Sequence, residues 1–73
     1  MTTNSTYILR GLDGNGRELF YTGRVGDGWV SPHRAEAFTY ETLERARYRA
    51  TFFNRMVDVH GVWFLAVPRA FNA

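Results

Sequence analysis

A chain of 73 residues without a single cysteine has to fold with no covalent staple. Disulfides, cysteine-based zinc sites and thiol catalysis are excluded together. At this size one hydrophobic core rarely supplies more than about 3–5 kcal/mol of net stability, so something else must compensate. Two means are left: dense aromatic packing, and association with another chain. The sequence holds six Phe, four Tyr and two Trp. Each such ring can bury roughly 150–250 Å², and that many rings exceed what one small interior holds. Some are therefore expected at the surface, where their positions bear on function. The length leaves room for one domain, residues 1–73, with residues 1–5 and 70–73 expected to fray.

Turn chemistry sets the local order. Residues 6–12 read as a strand. Asp13-Gly14-Asn15-Gly16 combines two strong turn dipeptides and reverses the chain into a hairpin with residues 17–22. Gly23 to Gly28 makes a second glycine-rich turn, and Trp29-Val30-Ser31 a short third strand that Pro32 ends. Thr39 reads as a helix N-cap, followed by a helix from Tyr40 to Val57 or Asp58 with Glu41 and Glu44 in its first turns. Gly61 closes that helix in the left-handed conformation. The run Val62 to Val67 is apolar throughout, which predicts a strand covered on both faces and stopped by Pro68. The order β-β-β-α-β predicts an α+β fold: a small antiparallel sheet with one helix packed across one face.

The helix has two non-polar sides. At 100° per residue Leu43, Ala46, Ala50, Phe53 and Val57 share one arc, which is expected to pack on the sheet. The opposite arc holds Glu41, Arg45, Tyr48, Arg49, Phe52, Arg55 and Met56. A solvated face would be mostly charged and small polar groups. Here Tyr48, Phe52 and Met56 recur every four residues among three arginines, and aromatics, Met and Arg are the side chains enriched at protein interfaces. A lone exposed ring would need no explanation, and a loop folded over Phe52 would remove the case; three in register point to a partner surface. The last strand poses a similar question. Val62, Phe64 and Ala66 face one way, Trp63, Leu65 and Val67 the other. The triplet turned from the helix needs a cover, either the loop around Trp29 and Phe38 or a second copy of the chain. A homodimer is expected.

The charge balance is mild. Nine basic side chains, all arginine, against seven acidic ones leave a formal charge of +2, which permits an acidic protein or nucleic-acid partner without demanding one. A GC-rich genome is sufficient reason for arginine over lysine, although arginine also suits carboxylates, phosphates and aromatic faces. No stretch approaches the ~18 apolar residues of a membrane span. Residues 1–10 lack the charged-then-apolar order of a secretory signal, so a cytoplasmic protein without membrane contact is expected.

Catalytic and metal motifs fail one by one. Gly23 to Gly28 lacks the Gly-Lys-Ser/Thr ending of a phosphate-binding loop. Asp13, Asn15 and Arg17 begin like a calcium loop, but Arg takes the third ligand position and no Glu follows at the required place. His33 and His60 would have to meet at one phosphate, with an arginine, to make a small nuclease. His60, beside Asp58 at a helix end, is accounted for by cap contacts. Ser31-Pro32-His33 has no third triad partner. No enzyme activity, cofactor or metal is expected. Arg45, Arg47, Arg49 and Arg55, with Arg10, Arg17 and Arg24 on the hairpin, form a basic set that could stack and pair with nucleic acid, diluted by Glu36, Glu41, Glu44 and Asp58.

Two family resemblances bear on this surface. Tyr7-Ile8-Leu9, Tyr21-Thr22-Gly23-Arg24, Gly28-Trp29-Val30, and Ala37-Phe38-Thr39 with Glu41 ahead of a helix and closing strand resemble small phage- and prophage-encoded α+β proteins. Some of these are anti-CRISPR inhibitors, which bind a Cas component and occlude its target or partner site. That resemblance implies a non-enzymatic protein-binding role against a host defence complex. Gly23-Arg24-Val25-Gly26 followed by Phe38-Thr39 and a helix is similar to the WGR domain, a DNA-end-binding module, with Thr22 where that motif has its Trp. It implies the alternative, a small nucleic-acid-binding module. The expected partner-binding residues are Arg45, Tyr48, Arg49, Phe52, Arg55 and Met56.

Overall fold

The Asp13 side chain makes the first hairpin. Its carboxylate accepts the backbone N–H groups of Asn15 and Arg17, both at 2.9 Å, and the Arg17 guanidinium at 3.0 Å. The Arg17 backbone donor, foremost, holds the Asp13 carboxyl below the usual range. The strands on either side are β1 (Tyr7–Asp13) and β2 (Glu18–Tyr21), paired antiparallel with Arg10 opposite Phe20 and Leu12 opposite Glu18. The computed structural model describes residues 6–70; the expected fraying of 1–5 and 70–73 lies outside them except at Ala70.

The chain continues through β3 (Val30–Ser31), α1 (Leu43–Asn54), α2 (Val57–His60) and β4 (Val62–Pro68). The sheet order is β3-β2-β1-β4, antiparallel throughout. The fold is α+β, as expected, with α1 on one face. Gly11 lies at the centre of β1 under the Phe64 ring; a Cβ there would stand 2.8 Å from Phe64 Cε1 and 2.6 Å from Val62 Cγ1. The absent side chain lets the ring lie flat on the strand.

The helix differs from its expected bounds in two ways. Its N-cap is Thr42, whose hydroxyl accepts the Arg45 N–H at 3.1 Å, and not Thr39. Tyr40 instead exchanges two backbone hydrogen bonds with Tyr7, and Phe38 N–H donates to Tyr21 O, so residues 38–40 run beside the sheet. At the other end α1 stops at Asn54. Met56 N–H reaches back only to Phe53 O, and a separate turn, α2, begins. His60 folds back onto the break. Its Nδ1 accepts the Val62 N–H and its Nε2 donates to Phe53 O at 2.8 Å, a second donor to the carbonyl that already accepts the Met56 N–H. That pairing places the proton on Nε2. Gly61 is left-handed at φ +77°, as expected, but it closes α2 and not the main helix.

Ala46 and Ala50 are buried against Leu9, Val62 and Phe64, so the predicted inner arc does face the sheet. Phe53 joins it, with its ring centre 4.8 Å from Tyr21, 5.3 Å from Phe64 and 5.6 Å from Trp29. Val57 lies on α2, half-buried. Trp29 belongs to this cluster and not to β3. It cannot cover the other face, and neither can Phe38, which packs on Tyr21 and Tyr40. The cover there is the 3-10 turn Arg34–Glu36. Arg34 sits 5.7 Å over the Phe20 ring and donates to Pro68 O at 2.8 Å. Ser31 takes the His33 N–H, and its hydroxyl is the main cause of a lowered Glu36 pKa. Ile8 and Phe20 are thereby buried on the side away from α1.

Candidate functional site

Among the described residues, no loop folds over the outer side of α1. Tyr48 is 74 % exposed, Phe52 46 % and Met56 43 %. Tyr48 stands on a ridge between two depressions. One is an open groove of about 820 Å³ between the 38–41 segment and the first turns of α1. Tyr21, Phe38 and Tyr40 give it aromatic walls, Arg45 and Arg49 line it from the helix, and Glu41 and Glu44 lie at its margin. The other, about 230 Å³, lies between Glu44, Arg47, Thr51, Phe52 and Arg55. Tyr48 borders both.

The predicted residues thus divide. Arg45, Tyr48 and Arg49 border the first groove; Tyr48, Phe52 and Arg55 border the second. Met56 lies beyond the end of α1 and lines neither, because the helix axis breaks before it. Arg49 is held in place, its guanidinium 5.4 Å from the Phe52 ring centre and 6.0 Å from that of Phe53. Such cation–π contact fixes an arginine without neutralising it. Ion pairs within the described residues join Arg10 to Glu18, Arg17 to Asp13 and Arg24 to Glu36. Arg45, Arg47 and Arg55 take part in none of them.

Sequence periodicity missed the wall formed by Tyr21, Phe38 and Tyr40. Those residues come from β2 and the connector, so no single-element pattern brings them to α1. The approach is close: a Cβ at Gly23 would lie 2.5 Å from Phe38 Cδ1. Arg47 belongs to the second groove, although helical periodicity alone gives it no place on the outer stripe.

The wall has a measurable chemistry. Burial, foremost, pushes the Tyr40 phenol up to about 12; Tyr21 adds to the rise and the Arg49 guanidinium opposes it. An unfolded tyrosine ionises near ~10. The neutral Tyr40 therefore supports folding fully below pH ~10, and that support is lost as pH rises toward its folded value. Phenolate absorbance should show Tyr40 titrating late, together with loss of the fold. Tyr40→Phe should remove the late step. The absence of a late phenolate step, or an unchanged late step in Tyr40→Phe, would contradict this.

Both imidazoles lie elsewhere. His60 has both ring nitrogens committed to backbone groups. His33 is exposed, at the start of the Arg34–Glu36 turn. No helix among the described residues is long and apolar enough to cross a membrane.

Fold and surface together define a small α+β domain that presents an aromatic and arginine-rich helix face. The chain matches no family model, no curated protein and no solved structure.

Proposed function

We propose that this chain is a non-enzymatic protein-binding module whose contact surface is the outer side of α1 with its two grooves. The observation that carries the reading is Tyr48, a large ring left exposed on a ridge between two depressions and surrounded by arginines outside the ion pairs. Interface energy concentrates in such anchors, ringed by groups that exclude water. Glu41 and Glu44 favour a protein over a nucleic acid. They place negative charge beside Arg45 and Arg49, where a phosphate backbone would be repelled and a mixed-charge protein surface would find partners. The narrower form of the proposal follows the resemblance to anti-CRISPR inhibitors: the partner is a Cas component, and binding occludes its working surface.

The test is inhibition of target cleavage by purified Cas effector–guide complexes, titrated with the chain. Inhibition should saturate stoichiometrically. Tyr48→Ala with Arg45→Glu should weaken it by at least about 2 kcal/mol, roughly thirtyfold in affinity. The double variant should fold as well as the parent. Arg45 is the third residue of α1, where a glutamate completes a capping box with Thr42 and suits the helix dipole. Undiminished inhibition by the folded variant would move the site off α1. Cleavage unaffected by the chain, with steeply salt-dependent binding to oligonucleotides, would establish the nucleic-acid reading instead.

A further inference from the structure

Among the described residues, the side of the sheet turned from α1 is only half covered. Strand register arranges it in rows. Glu18, Leu12 and Trp63 lie across β2, β1 and β4, and Phe20, Arg10 and Leu65 form the next row. The Arg34–Glu36 turn seals the far end over Ile8 and Phe20. Its cover stops short of Leu12, Trp63 and Leu65, which are 44 %, 51 % and 55 % exposed. These three are adjacent on one face, and each is larger than a stray surface hydrophobe needs to be.

We propose that this uncovered half, Leu12, Trp63 and Leu65 around the Arg10–Glu18 pair, is the interface of a symmetric homodimer. Charge selects the occupant. The patch carries one cation and one anion, paired with each other across β1 and β2. A strongly acidic or basic partner gains nothing there. A second copy turned by a two-fold axis meets apolar surface with apolar surface, and Arg10 can face the partner's Glu18 while Glu18 faces the partner's Arg10. Two sheets stacked in this way form a closed apolar layer of ordinary sandwich geometry.

The sheet's edges argue for a face contact as well. Along β4 the Asn54 carboxamide occupies both backbone groups of Phe64, His60 takes the Val62 N–H, and Pro68 has no N–H to offer. At the opposite edge β3 is two residues long and ends at Pro32. Edge-to-edge pairing is thereby blunted, and the open face remains.

Sedimentation equilibrium of the full chain tests the proposal. The wild type should have twice the chain's mass, and Leu65→Glu should raise the dissociation constant by about tenfold or more while the fold is kept. Tyr48→Ala should leave the dimer intact, which separates this interface from the α1 surface. A mixing experiment decides the matter even where Leu65→Glu disturbs folding. Arg10→Glu alone and Glu18→Arg alone each place like charges at the contact and should dissociate; mixed together they should form a heterodimer. A wild type that stays monomeric at high concentration overturns the proposal. So does a dimer that is lost in Tyr48→Ala and kept in Leu65→Glu, or two charge variants that fail to associate when mixed.

Discussion

Phe53→Ala is expected to abolish the cooperative thermal transition of this domain. The Phe53 ring touches those of Tyr21, Trp29, Phe52, His60 and Phe64, and Arg49 lies over it. It joins α1, β2, α2 and β4 in a single cluster. Truncating a packed phenylalanine costs about 3–5 kcal/mol, from lost transfer energy and from the cavity left behind. A core of this size supplies about the same amount in net stability. The aromatic cluster stands in for the missing staple, so its central ring is not dispensable. Tyr48→Ala is the control. It removes a ring of similar size from the surface and should change stability by no more than about 0.5 kcal/mol. A Phe53→Ala variant that melts with the wild type would mean the cluster contributes little.

Asn54→Ala has the next largest expected effect, about 2 kcal/mol. The Asn54 carboxamide donates to Phe64 O at 3.0 Å and accepts the Phe64 N–H at 2.8 Å. Its removal deletes two hydrogen bonds and leaves two partly buried backbone groups without partners, each costing about 1–3 kcal/mol when fully desolvated. Better helix propensity for alanine returns only about 0.5 kcal/mol. The last turn of α1 is thereby fastened to the edge of β4. Urea titration measures the loss, and hydrogen exchange localises it: the Phe64 amide should turn from protected to fast. Asn54→Asp should recover part of the effect, since a carboxylate still accepts the N–H but cannot donate to the carbonyl. The exposed edge, Phe64 beside Ala66, should also make Asn54→Ala prone to strand pairing between chains. An unchanged Phe64 exchange rate would show that the edge is held by other contacts.

Both effects rest on contacts between elements far apart in sequence, and this divides what was legible from what was not. The first hairpin could be read because Asp13 and its glycines act within five residues. The two sides of α1 could be read because helical geometry is local: Ala46 and Ala50 turn inward, and Tyr48 and Phe52 turn outward, wherever the helix is placed. Left-handed closure at Gly61 is equally local.

The start of α1 was ambiguous for a definite reason. Thr39 and Thr42 are both competent caps, and nothing nearby in sequence chooses between them. Tyr40 chooses, by exchanging backbone hydrogen bonds with Tyr7, more than thirty residues earlier. That same pairing draws Phe38 and Tyr40 beside the helix and so creates the larger groove. Past the break after Asn54, His60 folds back onto Phe53 O, seven residues earlier. The cover of the second sheet face depends on Arg34 reaching Pro68 across the sheet. Periodicity and turn chemistry determined the elements and their apolar sides, because those properties need only neighbouring residues. Tertiary structure decided where α1 begins, what walls the groove, and which half of the sheet stays open, because each is settled by a hydrogen bond or ring contact that exists only after the chain has closed on itself.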